Sequence, residues 1–116
     1  MAKTEVSQSV GITDLLDVLP VSDEATTSRV VVNNPLMRVV YFSFDTDQVL
    51  TTHSSPRAVV VTLLSGSMDF TIDDTTHHMV SGDCLYLAPG VQHSLIATSP
   101  CHMSLVMVDT QYSGKQ

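Results

Sequence analysis

From Ser28 to Val108 the chain is a succession of short apolar segments, each cut off by turn chemistry before it can lengthen. RVVV, MRVVYFSF, AVVVTLL, MDFTI, HHMV, CLYLA, HSLIA and HMSLVMV are rich in Val, Leu, Tyr, Phe and Thr. Between them stand Asn33-Asn34-Pro35, Asp45-Thr46-Asp47, Ser54-Ser55-Pro56, Ser65-Gly66-Ser67, Asp73-Asp74-Thr75, Ser81-Gly82-Asp83, Pro89-Gly90 and Thr98-Ser99-Pro100. Breaks roughly every 8–12 residues leave no room for helices and suit strands, so the pattern predicts an all-β sandwich or barrel. Met68, Phe70 and Ile72 alternate with Asp69, Thr71 and Asp73, as in a strand with one face buried. Ala58–Leu64 is apolar at both parities, which predicts a strand buried on both sides. No internal repeat interrupts this texture.

The first 27 residues read differently. Residues 1–10 are polar, in keeping with a chain end. Ile12, Leu15, Leu16 and Leu19 then fall on one helical face, with Thr13 or Asp14 as cap and Pro20 as stop. That is about two turns, enough for a short helix or for an arm packed on the domain. A chain of 116 residues has room for one domain. The organisation expected is an arm over 1–27, a barrel over 28–110 and a tail over 111–116.

Composition narrows the function classes. Twelve acidic against five basic residues give a formal net charge of −7, and Lys3, Arg29, Arg38, Arg57 and Lys115 form no run. Such a surface repels phosphate backbones, which argues against nucleic-acid binding. The apolar runs are about half a dozen residues long, against roughly 20 for a membrane-spanning helix, so no membrane partner is expected. No charged segment followed by an apolar core opens the chain, and the expected location is the cytoplasm. Cys84 and Cys101 lack a CxxC spacing and read as two reduced, mostly buried thiols, with a disulfide between them left open.

Two spacings carry a resemblance. The first comprises His53, Ser55, Val59 and Gly66; the second comprises Gly82, Ala88-Pro89-Gly90 and His93. They resemble the two motifs of the cupin superfamily, G-x5-H-x-H-x(3,4)-E-x6-G and G-x5-P-x-G-x2-H-x3-N. SGDCLYLAPGVQH follows the second motif closely, departing from the full pattern at Ala88 and, further on, at Ala97. Gly66, Gly82 and Gly90 stand where strands must reverse through backbone angles that other residues resist. The resemblance spans about residues 28 to 109 and implies a double-stranded β-helix, the jelly-roll cupin barrel, in a small single-domain form. It does not choose a chemistry, because one fold hosts many.

In metal-binding cupins the two histidines and glutamate of the first motif and the histidine of the second meet at one ion. Carried over residue by residue, this chain keeps His53 and His93 but places Ser55 at the second histidine and Val59 at the glutamate. No carboxylate lies between Asp47 and Asp69, so no nearby register restores one. Two imidazoles can hold Fe, Mn, Ni, Zn or Cu, but three or four protein ligands are usual, and a serine hydroxyl is a poor one. The residues therefore point to a ligand-binding set of His53, Ser55, Val59 and His93 around a degenerate metal site. The small organic ligand is expected inside the barrel lumen, in a cavity open to solvent near His53 and His93, on an apolar floor continued by Val61 and Leu63.

The remaining histidines are lesser candidates. His102 opens the last segment and is expected at the far end of the barrel. His77 and His78 are adjacent, so they point to opposite faces, and both are expected in solvent. Met37, Met68, Met79, Met103 and Met107 read as adaptable core filling. Neither a nucleophile elbow nor a phosphate-cradling glycine loop is present. The rival reading is a metal-dependent dioxygenase or isomerase completed by water or substrate; a third is an interaction module whose barrel is merely core. A homodimer is expected, because jelly-roll edges and the arm need cover.

Overall fold

The computed structural model describes residues 3–111, and within them the regular elements are all strands. In chain order they are β1 (Thr27–Asn33), β2 (Met37–Phe44), β3 (Val49–His53), β4 (Ala58–Ser65) and β5 (Ser67–Ile72), then β6 (Thr75–Val80), β7 (Cys84–Leu87), β8 (His93–Ala97) and β9 (Cys101–Val108). They form two antiparallel sheets, ordered β1-β2-β9-β4-β7 and β3-β8-β5-β6. The non-consecutive neighbours are the crossovers of a jelly roll, in which the chain passes repeatedly between two facing sheets. Among the described residues no helix is long and apolar enough to cross a membrane.

The inner faces meet in one core. Phe44, Val61, Leu63, Met68, Ala97, Cys101 and Met103 are fully buried there, joined by Val59, Phe70, Met79, Leu87, Leu95 and Leu105. Alternation accounts for most of this: Val59, Val61 and Leu63 face inward as expected, and so does Met68. The other parity of β4 is only half-buried, because the outer face of its sheet is partly rather than wholly covered. Tyr86 stands on that outer face, 63% exposed. Cys101 is a core residue while Cys84 is exposed, and both are free thiols, so the expectation of two buried thiols holds for one.

Gly11–Pro20 forms turns rather than a helix. Asp14 takes a left-handed backbone (φ 59°) and its carbonyl accepts from the amides of Asp17 and Val18, closing one turn that goes no further. Ile12 and Leu16 stay exposed, so the apolar face expected of a helix finds nothing to pack on. Only Leu19 is buried, on the outer side of the five-stranded sheet. There its carbonyl accepts from His102 Nε2 (2.8 Å), and the Pro20 carbonyl accepts from the Ser43 hydroxyl (3.1 Å). The N-terminal segment is an arm. Of the tail expected over 111–116, residues 112–116 lie outside the described residues.

Candidate functional site at one end of the barrel

Three connections define one end of the barrel. β3 ends at His53 and β4 begins at Ala58; β7 ends at Leu87 and β8 begins at His93; β2 begins where β9 ends. The first two loops are tied together by the Gly90 amide donating to the Ser55 carbonyl at 2.7 Å. Gly90 has φ 83°, a left-handed backbone that glycine adopts without steric cost. The histidine-bearing loops of the two sequence motifs are thus the two halves of one barrel mouth.

A bulge aims the first histidine. Leu50 pairs with Leu95 and His53 pairs with His93, three residues apart on β3 but two apart on β8. In a regular strand Leu50 and His53 would face opposite sides; the extra residue lets both face the core. The rings meet edge to face, centroids 4.2 Å apart, with Nε2 to Nε2 at 3.0 Å. His93 is 5% exposed and stacks on Phe70, whereas His53 is exposed at the rim.

The other ring nitrogens decide how the pair shares hydrogen. His53 Nδ1 lies 2.8 Å from the Thr51 carbonyl and His93 Nδ1 lies 3.3 Å from the Val91 carbonyl. A carbonyl accepts only, so two Nδ1–H groups would leave two Nε2 lone pairs facing each other. The neutral pair resolves this through its longer contact. His53 donates from Nδ1 to Thr51, and His93 donates from Nε2 to His53 Nε2, leaving its own Nδ1 weakly placed. Burial lowers the His93 pKa from its ordinary value, the neighbouring His53 adds to that, and the Val91 carbonyl opposes it. His93 is thereby held as the neutral partner.

The metal centre that the resemblance implies is not supported by this donor set. A 3.0 Å separation suits two ligands about 2.0–2.1 Å from one ion at an angle near 90°. Yet among the described residues no group of three His, Cys, Asp or Glu side chains converges anywhere. Val59 occupies the carboxylate position as a core residue, 3% exposed. Ser55 lies in the loop, where its hydroxyl accepts the Arg57 amide at 3.1 Å. Two imidazoles are what the protein supplies.

Sequence reasoning missed one residue here. Arg38 pairs with Met107, Met107 with Val59, and Val59 with Leu87, so Arg38 belongs to the inward row at this same end. Its Nε is buried and has no hydrogen-bond partner. Among the described residues the ion pair formed is His78 with Asp69, and it does not involve Arg38. An orphaned buried donor costs roughly 1–3 kcal/mol. The available signal was parity: Arg38, Val40, Phe42 and Phe44 alternate, and the last three are plainly apolar.

The other histidines divide. His102 lies at the far end, as expected, with Nδ1 accepting from the Ser65 hydroxyl at 2.9 Å. His78 is exposed and bonded to Asp69, but His77 shares the inward parity of Met79, pairs with Phe70 and is half-buried. The expectation of two solvated histidines therefore holds for His78 alone, because the alternation of β6 turns its neighbour toward the core.

Cavities lie elsewhere on the surface. One of about 350 Å³ runs over the outer face of β3, β8 and β5, past Val49, Thr71 and Ile96. Another of about 500 Å³ lies between the N-terminal segment and β1. Neither is lined by His53, Ser55, Val59 or His93. The open lumen expected beside the histidines is instead filled: Val59, Val61 and Leu63 are buried in packed core, because their side chains and those of the facing sheet meet across the barrel.

A family model described as the cupin domain matches residues 40–109. A conserved protein of unknown function from Streptococcus pyogenes superposes with a TM-score of 0.83 at 28% identity, covering 97% of this chain and 98% of that one. A cupin superfamily protein from Desulfitobacterium hafniense gives 0.79 at 15% identity, covering 93% and 98%. The salicylate 1,2-dioxygenase of Pseudoaminobacter salicylatoxidans, in complex with gentisate, gives 0.68 at 16% identity, covering 72% of this chain but 25% of its own. The last two likenesses speak to fold alone. No curated protein matches the chain.

Proposed function

The chain belongs to the cupin family, and from that premise we propose that it binds a small organic ligand at the barrel mouth through His53 and His93. Ser55 is a lesser polar contact and Val59 part of the apolar floor, and no resident metal is required. The observation that carries this reading is the pair itself. A bulge brings two imidazoles from different strands to 3.0 Å, one buried on Phe70 and one at the rim. A core histidine with only a structural task needs no such partner. The protein would act in the cytoplasm as a homodimer, which sedimentation tests directly.

Screening a fragment library by thermal shift against the native protein, His53→Ala and His93→Ala tests the reading. Hits that stabilise the native protein and lose their effect in both variants support it. Hits that shift all three alike would place the binding site elsewhere.

The metal-dependent enzyme, of dioxygenase or isomerase type, keeps one observation in its favour: the 3.0 Å approach of the two Nε2 atoms. Elemental analysis of untagged protein after loading with Fe, Mn, Ni, Zn or Cu decides it. Stoichiometric metal lost in His93→Ala would establish that reading over the metal-free one.

A further inference from the structure

We infer that Arg38 is a specificity residue of the barrel mouth, and that it selects ligands bearing a carboxylate. This rests on the mouth being the binding site. In an acidic protein of net charge −7, one of five basic side chains stands on the inward face of β2, in the row of Met107, Val59 and Leu87. Its neighbours on that face are apolar: Val40 and Phe44 are buried, and Phe42 packs against the core. A guanidinium only donates, through a planar fork of five N–H bonds, and it stays charged at every physiological pH. Buried Nε without an acceptor is hydrogen-bonding capacity that the protein leaves unused.

The chemistry of the missing partner follows from geometry. It must accept hydrogen bonds, carry negative charge and present two oxygens in a plane to a guanidinium fork, which describes a carboxylate. The remainder of such a ligand would lie on the half-buried Met107 and Val91, above the packed Val59 and Leu87, so an organic acid with an apolar body fits better than inorganic phosphate. The histidine pair then faces the ligand from the opposite sheet. Arg38 would hold the acid group and the imidazoles would orient what is attached to it.

Calorimetry with the native chain, using acetate to hexanoate, succinate and benzoate, each beside its amide, tests the assignment. The imidazole nitrogen resonances of His53 and His93 are followed by NMR to place binding at the mouth. The native protein is expected to prefer acids over amides by roughly tenfold to a hundredfold. Arg38→Met should remove that preference by bringing acid affinity down to the level of the amides, while Arg38→Lys keeps part of it. If Arg38→Met fails to fold, Arg38→Gln carries the same measurement. Amides that bind as tightly as acids, or a preference that survives loss of the guanidinium, would overturn the role of Arg38 while leaving the mouth as a binding site. Probes that bind without moving either histidine resonance, or do not bind at all, would defeat the mouth reading and this inference with it.

Discussion

The two ends of this barrel use the same residue types to opposite effect. At the far end His102 is saturated by the protein: Ser65 donates to Nδ1, and Nε2 donates to the Leu19 carbonyl. Nearby, Gly66 lets β4 turn into β5 against the Pro100 carbonyl, with no space for a side chain. At the mouth the two Nε2 atoms share one hydrogen bond, the His93 Nδ1 is weakly placed, and the Arg38 Nε has no acceptor. A saturated histidine holds structure together; a region with leftover donors and acceptors is available to something else. Fold membership alone would not separate these two uses of histidine.

The sharpest way to break the contrast is to complete the mouth. Val59→Glu puts a carboxylate where the family places one, in a position now 3% exposed. Without metal the buried charge should cost several kcal/mol, and added Zn or Ni should restore stability as the carboxylate joins the two imidazoles. Melting with and without metal reads this directly, and an equal loss in both conditions would show that the pair cannot be completed. The far end offers the next largest effect. A Cβ at Gly66 would stand 2.1 Å from the Pro100 carbonyl oxygen at φ 78°, so Gly66→Ala should cost about 3 kcal/mol in urea denaturation.

His102→Ala should cost less, about 1–2 kcal/mol, since it removes two hydrogen bonds but empties little of the core. Hydrogen exchange should rise at the amides of Leu19 and Val21, with fragment binding at the mouth unchanged. The smallest effect is titration at His93. Its folded pKa lies below the unfolded value near 6.5, so its neutral form is the one the fold favours. That contribution is fully present above pH 6.5 and is lost as pH falls through the folded pKa. Stability measured from pH 8 down to pH 5 should decline in the native protein and flatten in His93→Gln. An identical acid slope in both would remove His93 from the account.

Much of the fold was legible because its cause is local. Turn residues at regular intervals and two-residue alternation mark eight of the strands, and the parity of Val59, Val61 and Leu63 follows from spacing alone. The strand that escaped is β3, Val49–His53, which carries His53. Its residues are mostly exposed, so no buried face marks it in the sequence. Of the short helix and the arm that the N-terminal spacing left open, the helix did not form, for the complementary reason. Its apolar spacing was present, but Ile12 and Leu16 meet no surface, and a helix that short needs one.

The sequence by itself determined the all-β barrel, the places where it turns, and the survival of His53 and His93 where the glutamate gave way to Val59. These depend on short-range periodicity and on residue identity. That the two imidazoles meet was implied by the resemblance; tertiary structure decided how, on adjacent strands through a one-residue bulge that period-two reasoning cannot anticipate. It also decided that Arg38 faces inward without an acceptor, because whether a donor is satisfied depends on what the facing strands bring near it.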